Sequence, residues 1–248
     1  MAVHKLSGRF FENHRVDWPC PECGQLTLEI EKESFRHAAT AETQKDRDEE
    51  WFEPDMTRFI FSCIARCSRA SCGEVVACQG TGGVEENEEL SKAVEQYYLW
   101  FRPLSFLPAL PPFQLPHKCP EKIAAPLTGA FSVFLMQPGA AANLIRIAVE
   151  RMLTAMGVPE VKGKKLHHRL EALSGSYEHY RDRLMAIKFL GNAGSHSYDD
   201  VEVNDVEDAF GIMDHTLGEL FSGRKEDIEI LTKRLNDRFL PGKPKEEE

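Results

Sequence analysis

Two short stretches, CPECG at residues 20–24 and CSRASCG at residues 67–73, decide the fold of the first part of the chain. Two residues separate the first pair of cysteines, so both sulfurs can face one metal ion from a single tight turn. The second pair has four intervening residues, a looser variant, and a glycine that favours a turn follows each pair. The predicted metal ligands are Cys20, Cys23, Cys67 and Cys72. Four thiolates close a tetrahedral site, so the spacing predicts a structural zinc ion with no open position for catalysis.

The other cysteines leave two alternatives open. Cys63 is close enough in sequence to replace Cys67, but it falls on the apolar face of a predicted strand at residues 57–66, which favours a core position. The pairs could also be reduced cysteines without metal, whereas a redox role lacks the βαβ context that it needs. We expect Cys78 and Cys119 to be buried apolar side chains.

The sequence around the cysteines is typical of β-structure. Alternating apolar and polar residues predict strands at 26–30 and 57–66, and a third short strand at 74–79 is expected to end at the glycines that follow it. Residues 39–55 are polar and acidic and predict an exposed loop. Residues 1–83 are therefore interpreted as a zinc-binding, β-rich module.

Residues 84–116 change character. A short helix is possible at 85–98, and the following LWFRPLSFLPALPPFQLP (99–116) contains five prolines without helical periodicity. We interpret this region as an extended, aromatic-rich connector that lies against the next domain.

Helical periodicity dominates from residue 117 onwards. Helices are predicted at 120–135, 140–157, 165–173, 177–190, 204–221 (with Asn204 as its N-cap) and 224–239. Residues 117–240 are interpreted as a helical bundle and 241–248 as a disordered tail. The predicted fold class is α+β, with a small, β-rich, four-cysteine zinc module followed by an all-α bundle.

Composition limits the classes of function. No apolar run approaches the length of a membrane span, and the N-terminus lacks the apolar core of a signal peptide, so we expect a cytoplasmic protein with no membrane partner. The net charge of −10 argues against sequence-blind DNA binding, which depends on neutralising phosphates, but it leaves room for a local basic site.

The helical part resembles a known family. LIRIAVERML (144–153) together with FLGNAGSH (189–196) is similar to the DUF4145 family (domain of unknown function), as are LPHKCPEKI (115–123) and the CPECG knuckle. That family belongs to the wider HEPN superfamily of helical bundles. The resemblance implies a HEPN-like bundle, a homodimer, and a setting among prokaryotic defence or restriction systems, with a defence-system protein as a possible partner.

The resemblance also raises a catalytic hypothesis. Many HEPN proteins are metal-independent endoribonucleases whose motif is an arginine, a polar residue and then a histidine, acting on the 2′-OH and phosphate of RNA. Asn192 and His196 match the polar residue and the histidine, whereas Gly191 stands where the arginine would be. Arg146 or Lys188 would have to supply the missing positive charge.

Physical reasoning favours a structural alternative for the same residues. Arg146 and Glu150 are four residues apart, as are Asn192 and His196, so each pair shares a helix face. Together they can form a satisfied polar network that fixes how two helices pack.

The most basic stretch of the chain is KGKKLHHR at residues 162–169. Together with nearby cations it predicts a phosphate-binding surface, or alternatively an ordinary solvated loop. The candidate nucleic-acid-binding residues are Lys162, Lys164, Lys165, Arg169 and Lys188, with Arg181 and Arg183 as possible neighbours. Three functions remain: a non-catalytic module that binds RNA, DNA or a protein partner, an endoribonuclease, and a structural homo-oligomer subunit.

Overall fold

The protein combines an antiparallel sheet with a helical region, which confirms the predicted α+β class. The computed structural model describes residues 3–11, 15–86, 97–160, 163, 165–196 and 200–240, with the backbone alone for His196, Lys225 and Glu226. The sheet lies in the first part of the chain together with the cysteine pairs, and the main run of helices follows it.

Six strands form the sheet among the described residues. They are β1 (Phe10–Phe11), β2 (Leu28–Ile30), β3 (Arg36–Ala39), β4 (Arg58–Cys67), β5 (Val75–Glu86) and β6 (Tyr97–Leu107). The order is β1-β6-β5-β4-β2, β3 also pairs with β4, and every pairing is antiparallel. This arrangement places β4 and β5, which lead into and out of the second cysteine pair, at the centre of the sheet.

One face of β4 carries the sheet core, as its alternating sequence predicts. Phe61, Cys63 and Ala65 are buried, whereas Ile60 beside them is 55% exposed. The Phe61 ring packs edge-on against Phe101 of β6 with ring centroids 5.4 Å apart, in the geometry that aromatic pairs prefer. Further aromatic rings complete this core: Phe10, Trp18, Phe35 and Phe106.

The third predicted strand does not end at its glycines. β5 continues through Gly80, Gly82 and Gly83 to Glu86, because these positions admit the neighbouring strand. A Cβ at Gly80 would lie 2.1 Å from the carbonyl oxygen of Arg102, and one at Gly82 would lie 2.6 Å from the Phe101 ring. The glycines therefore permit the close approach of β6 instead of stopping β5.

The predicted connector contributes a strand to the sheet. β6 pairs with β5 along its length on one side and with the two residues of β1 on the other. Of the possible helix at 85–98, residues 87–96 lie outside the described residues, and both flanking ends are strand. The predicted loop at 39–55 is mostly exposed but contains a six-residue helix, α1 (Ala41–Asp46), capped by the Thr40 hydroxyl. The boundary at residue 83 stays a prediction.

Most of the later helices lie where the sequence periodicity predicts them, but the helix predicted at 177–190 runs from Arg181 to His196 and follows a 3-10 helix at Gly175–Tyr180. The later helices are α2 (Glu121–Val133), α3 (Pro138–Ala155), α4 (Leu166–Glu171), α5 (Arg181–His196), α6 (Val203–Phe221) and α7 (Arg224–Phe239). The predicted cap of α6 is wrong. Glu202 caps the helix through a reciprocal capping box with Asp205, while Asn204 is exposed in the first turn.

Glycines bring α3 and α5 unusually close together. A Cβ at Gly194 would lie 2.4 Å from the carbonyl oxygen of Gly139, and one at Gly191 would lie 2.5 Å from the Cβ of Arg146. Both distances are far below normal van der Waals contact, so the crossing needs glycine at both positions. The close crossing sets the polar side chains of α3 beside those of α5.

Candidate metal centre and nucleic-acid groove

Two similar turns present the four cysteines of the predicted metal site. In the first turn, Cys20 N–H donates to the carbonyl oxygen of Gln25 at 2.8 Å, and Gly24 has a φ of 69°. In the second turn, Cys67 N–H donates to the carbonyl oxygen of Glu74 at 2.8 Å, and Gly73 has a φ of 66°. A left-handed φ is accessible to glycine without strain, which explains the glycine after each pair.

The two turns meet so that their sulfurs interleave. The Sγ atoms of Cys20 and Cys72 are 3.7 Å apart, those of Cys23 and Cys67 are 3.8 Å apart, and all four atoms lie within 4.8 Å of one another. Each of these two short sulfur–sulfur contacts therefore joins a cysteine of the first turn to a cysteine of the second turn. The arrangement can hold a metal ion, and Cys67, not Cys63, supplies the third sulfur.

The surroundings act differently on individual thiols. Burial raises the pKa of Cys20 to about 12, whereas hydrogen bonding, with the Gln25 backbone first, lowers the pKa of Cys23 to about 6. The Thr27 hydroxyl lies 3.1 Å from the Cys67 sulfur and 3.8 Å from that of Cys23. Thiolates crowded this closely repel one another, and a bound cation removes that repulsion.

The remaining cysteines lie away from the cluster. Cys63 and Cys78 face each other across β4 and β5, and both are buried, as the sequence predicts. Cys119 is only half-buried, which corrects the expectation of a fully buried side chain, because it lies in the turn just before α2.

A groove of about 500 Å³ between α3, α4 and α5 collects the predicted polar and basic residues. Six of the predicted site residues line it: Arg146, Glu150, Lys165, Arg169, Lys188 and Asn192. Glu160 and His167 also contribute to the wall. The charged side chains in this lining are four cations and two carboxylates, so the groove carries an excess of positive charge in a chain whose net charge is −10.

Arg146 is held by neighbours on its own helix. Its Nη1 donates to Glu150 Oε1 at 2.5 Å, and its Nη2 donates to Asn143 Oδ1 at 2.9 Å. The Ser195 hydroxyl of α5 donates to the same Asn143 oxygen at 3.2 Å, which links the two helices. Of the predicted network, the Arg146–Glu150 pair is present, and its link to α5 runs through Asn143 and Ser195, which sequence reasoning missed. The parts that Asn192 and His196 would play in this network stay predictions.

Arg169 lies inside the fold and not on a solvated loop. It is only 5% exposed, and its Nη2 donates to the Val158 carbonyl at 2.6 Å and the Thr154 hydroxyl at 2.9 Å. Its Nε has no hydrogen-bond partner, and within the described part of the chain no carboxylate forms an ion pair with it. A buried guanidinium without a counter-charge is energetically costly, so this wall of the groove favours an anion.

Other predicted residues lie elsewhere or outside the described part. Lys162 and Lys164 fall outside the described residues, as does the side chain of His196, although the His196 backbone ends α5. Arg183 points away from the groove and pairs with Glu219 of α6 at 3.1 Å. Arg181 donates to the Leu173 carbonyl and pairs with a neighbouring glutamate. These two arginines therefore do not join the predicted phosphate surface.

At the position where the ribonuclease motif would have its arginine, the chain has a glycine that packs closely against α3. Gly191 is buried against α3, with the Arg146 side chain and the Ala142 carbonyl within 3.0 Å of a Cβ built there. No larger side chain fits at this position without separating the helices. Gly191 and Gly194 on α5 are the sequence signal that predicts this close packing, and the structure confirms it.

The fold and site define an α+β protein with a four-cysteine cluster that can hold a metal ion, followed by helices that form a basic groove. Two family models match it: DUF8608, a domain of unknown function, over residues 8–106, and DUF4145, also a domain of unknown function, over residues 128–238. The match over residues 128–238 confirms the resemblance to the DUF4145 family seen in the sequence. No curated protein and no solved structure matches the chain. Among the described residues, no helix is long and apolar enough to cross a membrane.

Proposed function

We propose that this protein is a zinc-stabilised, HEPN-like module that binds nucleic acid through the groove between α3, α4 and α5. The observation that carries the proposal is the excess of positive charge in that groove, including the buried Arg169, in a protein that is otherwise acidic. Cations that converge on one cleft recognise phosphates, and a cleft of about 500 Å³ accommodates a short segment of sugar-phosphate backbone.

Zinc is the metal that best suits the cysteine cluster. A tetrahedral site with Zn–S bonds of about 2.3 Å places its sulfurs about 3.8 Å apart. The short sulfur distances of 3.7 and 3.8 Å fit this value. Because four thiolates fill the coordination sphere, the ion would be structural and would stabilise the two turns that carry its ligands.

The cations of the groove also predict how strongly added salt should weaken nucleic-acid binding. If the two groove lysines, Lys165 and Lys188, each neutralise one phosphate of a single strand, the slope of log K against log salt is about −1.4. Affinity would then fall roughly 7-fold between 50 and 200 mM salt. A slope near zero would contradict phosphate recognition in this groove.

Binding without cleavage is favoured by two observations. Gly191 leaves no space for the motif arginine, and the Arg146 guanidinium is engaged by Glu150 and Asn143. The endoribonuclease remains the second candidate, because Asn192 and Lys188 line the groove and His196 ends the same helix. In that mechanism His196 would act as acid and base while Asn192 positions the phosphate.

The binding test uses the full-length protein and fluorescent single-stranded RNA, with duplex DNA as comparison. Lys165→Glu together with Lys188→Glu should weaken RNA binding at least tenfold, because two phosphate contacts become repulsive. Lys45→Glu on the exposed face of α1 is the matched control and should leave affinity unchanged. If the groove variant binds like the wild type, the groove is not the nucleic-acid site.

Cleavage is tested separately. Purified protein is incubated with labelled tRNA and mRNA without added metal, beside His196→Ala. We expect intact RNA in both samples. Metal-independent cleavage that disappears in His196→Ala would establish the endoribonuclease instead.

We also propose that the protein is a cytoplasmic homodimer that works with a defence-system partner, as the family resemblance implies. Light scattering should give a mass of about 56 kDa, twice the 28.1 kDa of one chain. A dimer that binds neither RNA nor DNA would instead favour a structural homo-oligomer subunit.

A further inference from the structure

The last helix, α7, exposes an apolar stripe. Ile228, Leu231, Leu235 and Phe239 are 53%, 47%, 54% and 64% exposed, and their spacing of three and four residues places them on one helix face. A contiguous exposed apolar face is costly in water and marks an interaction surface.

The charges that flank the middle of this stripe change sign along the helix, whereas Arg224 and Arg238 make both ends of the helix basic. Asp227 and Arg234 lie along one edge, seven residues apart, and Glu229 and Lys233 lie along the other edge. Between residues 227 and 234, the stripe therefore has acidic edges at its start and basic edges at its end. Among the side chains that the structure describes, none forms an ion pair with any of these four.

This pattern is complementary to itself in one orientation. When two identical helices pair antiparallel about a two-fold axis, each edge meets the same edge of the other helix in reverse direction. A pair centred near Leu231 brings Asp227 opposite the partner's Arg234, and Glu229 opposite the partner's Lys233. A parallel pair would instead bring acidic edge against acidic edge, so the charges select the antiparallel arrangement.

The surface beside α7 leaves room for such a partner. The first turns of α7, one face of α6, the N-terminal segment and residues 114–117 enclose an open groove of about 1240 Å³. Its wall contains several carboxylates, among them Asp208 and Glu219. On the α6 side, Gly211 and Gly218 face open space. In the antiparallel arrangement, the basic second half of the partner's α7 falls beside this acidic groove.

We propose that α7 is the dimerisation element of this protein and that it pairs antiparallel with α7 of a second copy, burying the part of the stripe from Ile228 to Leu235. This surface rests on the homodimer proposed above, and it is independent of nucleic-acid binding in the groove between α3, α4 and α5.

The test uses two full-length charge variants and sedimentation equilibrium. Asp227→Lys with Glu229→Lys makes all four edge positions basic, and Lys233→Glu with Arg234→Glu makes all four acidic. Each variant alone should self-associate at least tenfold more weakly than the wild type, because like charges face each other across the pair. An equimolar mixture should regain dimers, since every basic edge then meets an acidic edge.

The controls separate the possible failures. Lys45→Glu should dimerise like the wild type, and Leu231→Asp should be monomeric with unchanged circular dichroism, because both side chains are accessible to solvent. A wild-type chain that stays monomeric at about 100 μM overturns both the homodimer and the surface. If the wild type dimerises and none of the α7 variants weakens the dimer, the proposed surface is wrong and the homodimer proposal still holds. If each variant self-associates more weakly but their mixture does not form dimers again, the antiparallel arrangement is wrong.

Discussion

Gly194→Ala tests the close crossing of α3 and α5 on which the groove depends. The added Cβ would lie 2.4 Å from the carbonyl oxygen of Gly139 and 3.0 Å from its Cα. These are backbone atoms, so no side-chain rotation relieves the overlap. The two helices would have to separate by about 1 Å to restore a normal carbon–oxygen contact.

The expected effect is the difference between two opposing terms. Overpacking against a rigid neighbour costs up to about 3 kcal/mol, while replacing a helical glycine by alanine stabilises by about 1 kcal/mol. The free energy of unfolding should therefore fall by about 2 kcal/mol. For a chain of this size, that loss lowers the melting temperature by about 4–8 °C.

Gly129→Ala on α2 is the matched control. Its added Cβ meets only Leu144, with the nearest atom, Cδ1, at 3.5 Å, an ordinary contact, so the propensity gain of about 1 kcal/mol should raise the melting temperature by about 2–4 °C. The assay is thermal denaturation followed by circular dichroism for both variants. If Gly194→Ala stabilises as much as Gly129→Ala does, α3 and α5 do not cross as closely as the structure places them, and the reasoning fails.

Three further perturbations have expected outcomes. Cys72→Ser should reduce bound zinc from one ion per chain towards zero by elemental analysis and unfold the β-rich part, and full retention of zinc would remove Cys72 from the ligand set. Glu202→Ala should lower the free energy of unfolding in urea by about 1 kcal/mol because it removes the cap of α6, whereas Asn204→Ala should leave it unchanged. Lys188→Gln should make the salt slope of RNA binding shallower by about 0.7, which a titration from about 50 to 300 mM salt would detect, and an unaltered slope would place Lys188 away from the phosphates.

Local patterns predicted what depends on local structure. The bounds of α7 follow from Gly223 before it and Pro241 after it, and the metal ligands follow from the spacing within each cysteine pair. Both kinds of signal act over a few residues, so they can be read from one sequence.

Features that depend on contact with a neighbouring element could not be predicted from the sequence. The glycines of β5 look like strand terminators until the backbone of β6 lies against Gly80. Arg169 belongs to a basic run that suggests a solvated loop, yet α4 turns it inward towards Val158. The direction in which a side chain points after the fold closes is set by tertiary packing, which periodicity describes only in part.

Gly191 occupies the position on α5 where the ribonuclease hypothesis expects an arginine. An arginine there would need to point into the groove, but its Cβ would occupy the space of the Arg146 side chain and the Ala142 carbonyl. The close crossing that glycine allows is what brings Lys188 and Asn192 into the same groove as Arg146. Gly191 therefore supports the proposal that the groove holds a phosphate backbone without cutting it, because the glycine that permits the close crossing leaves no room for the arginine of the ribonuclease hypothesis.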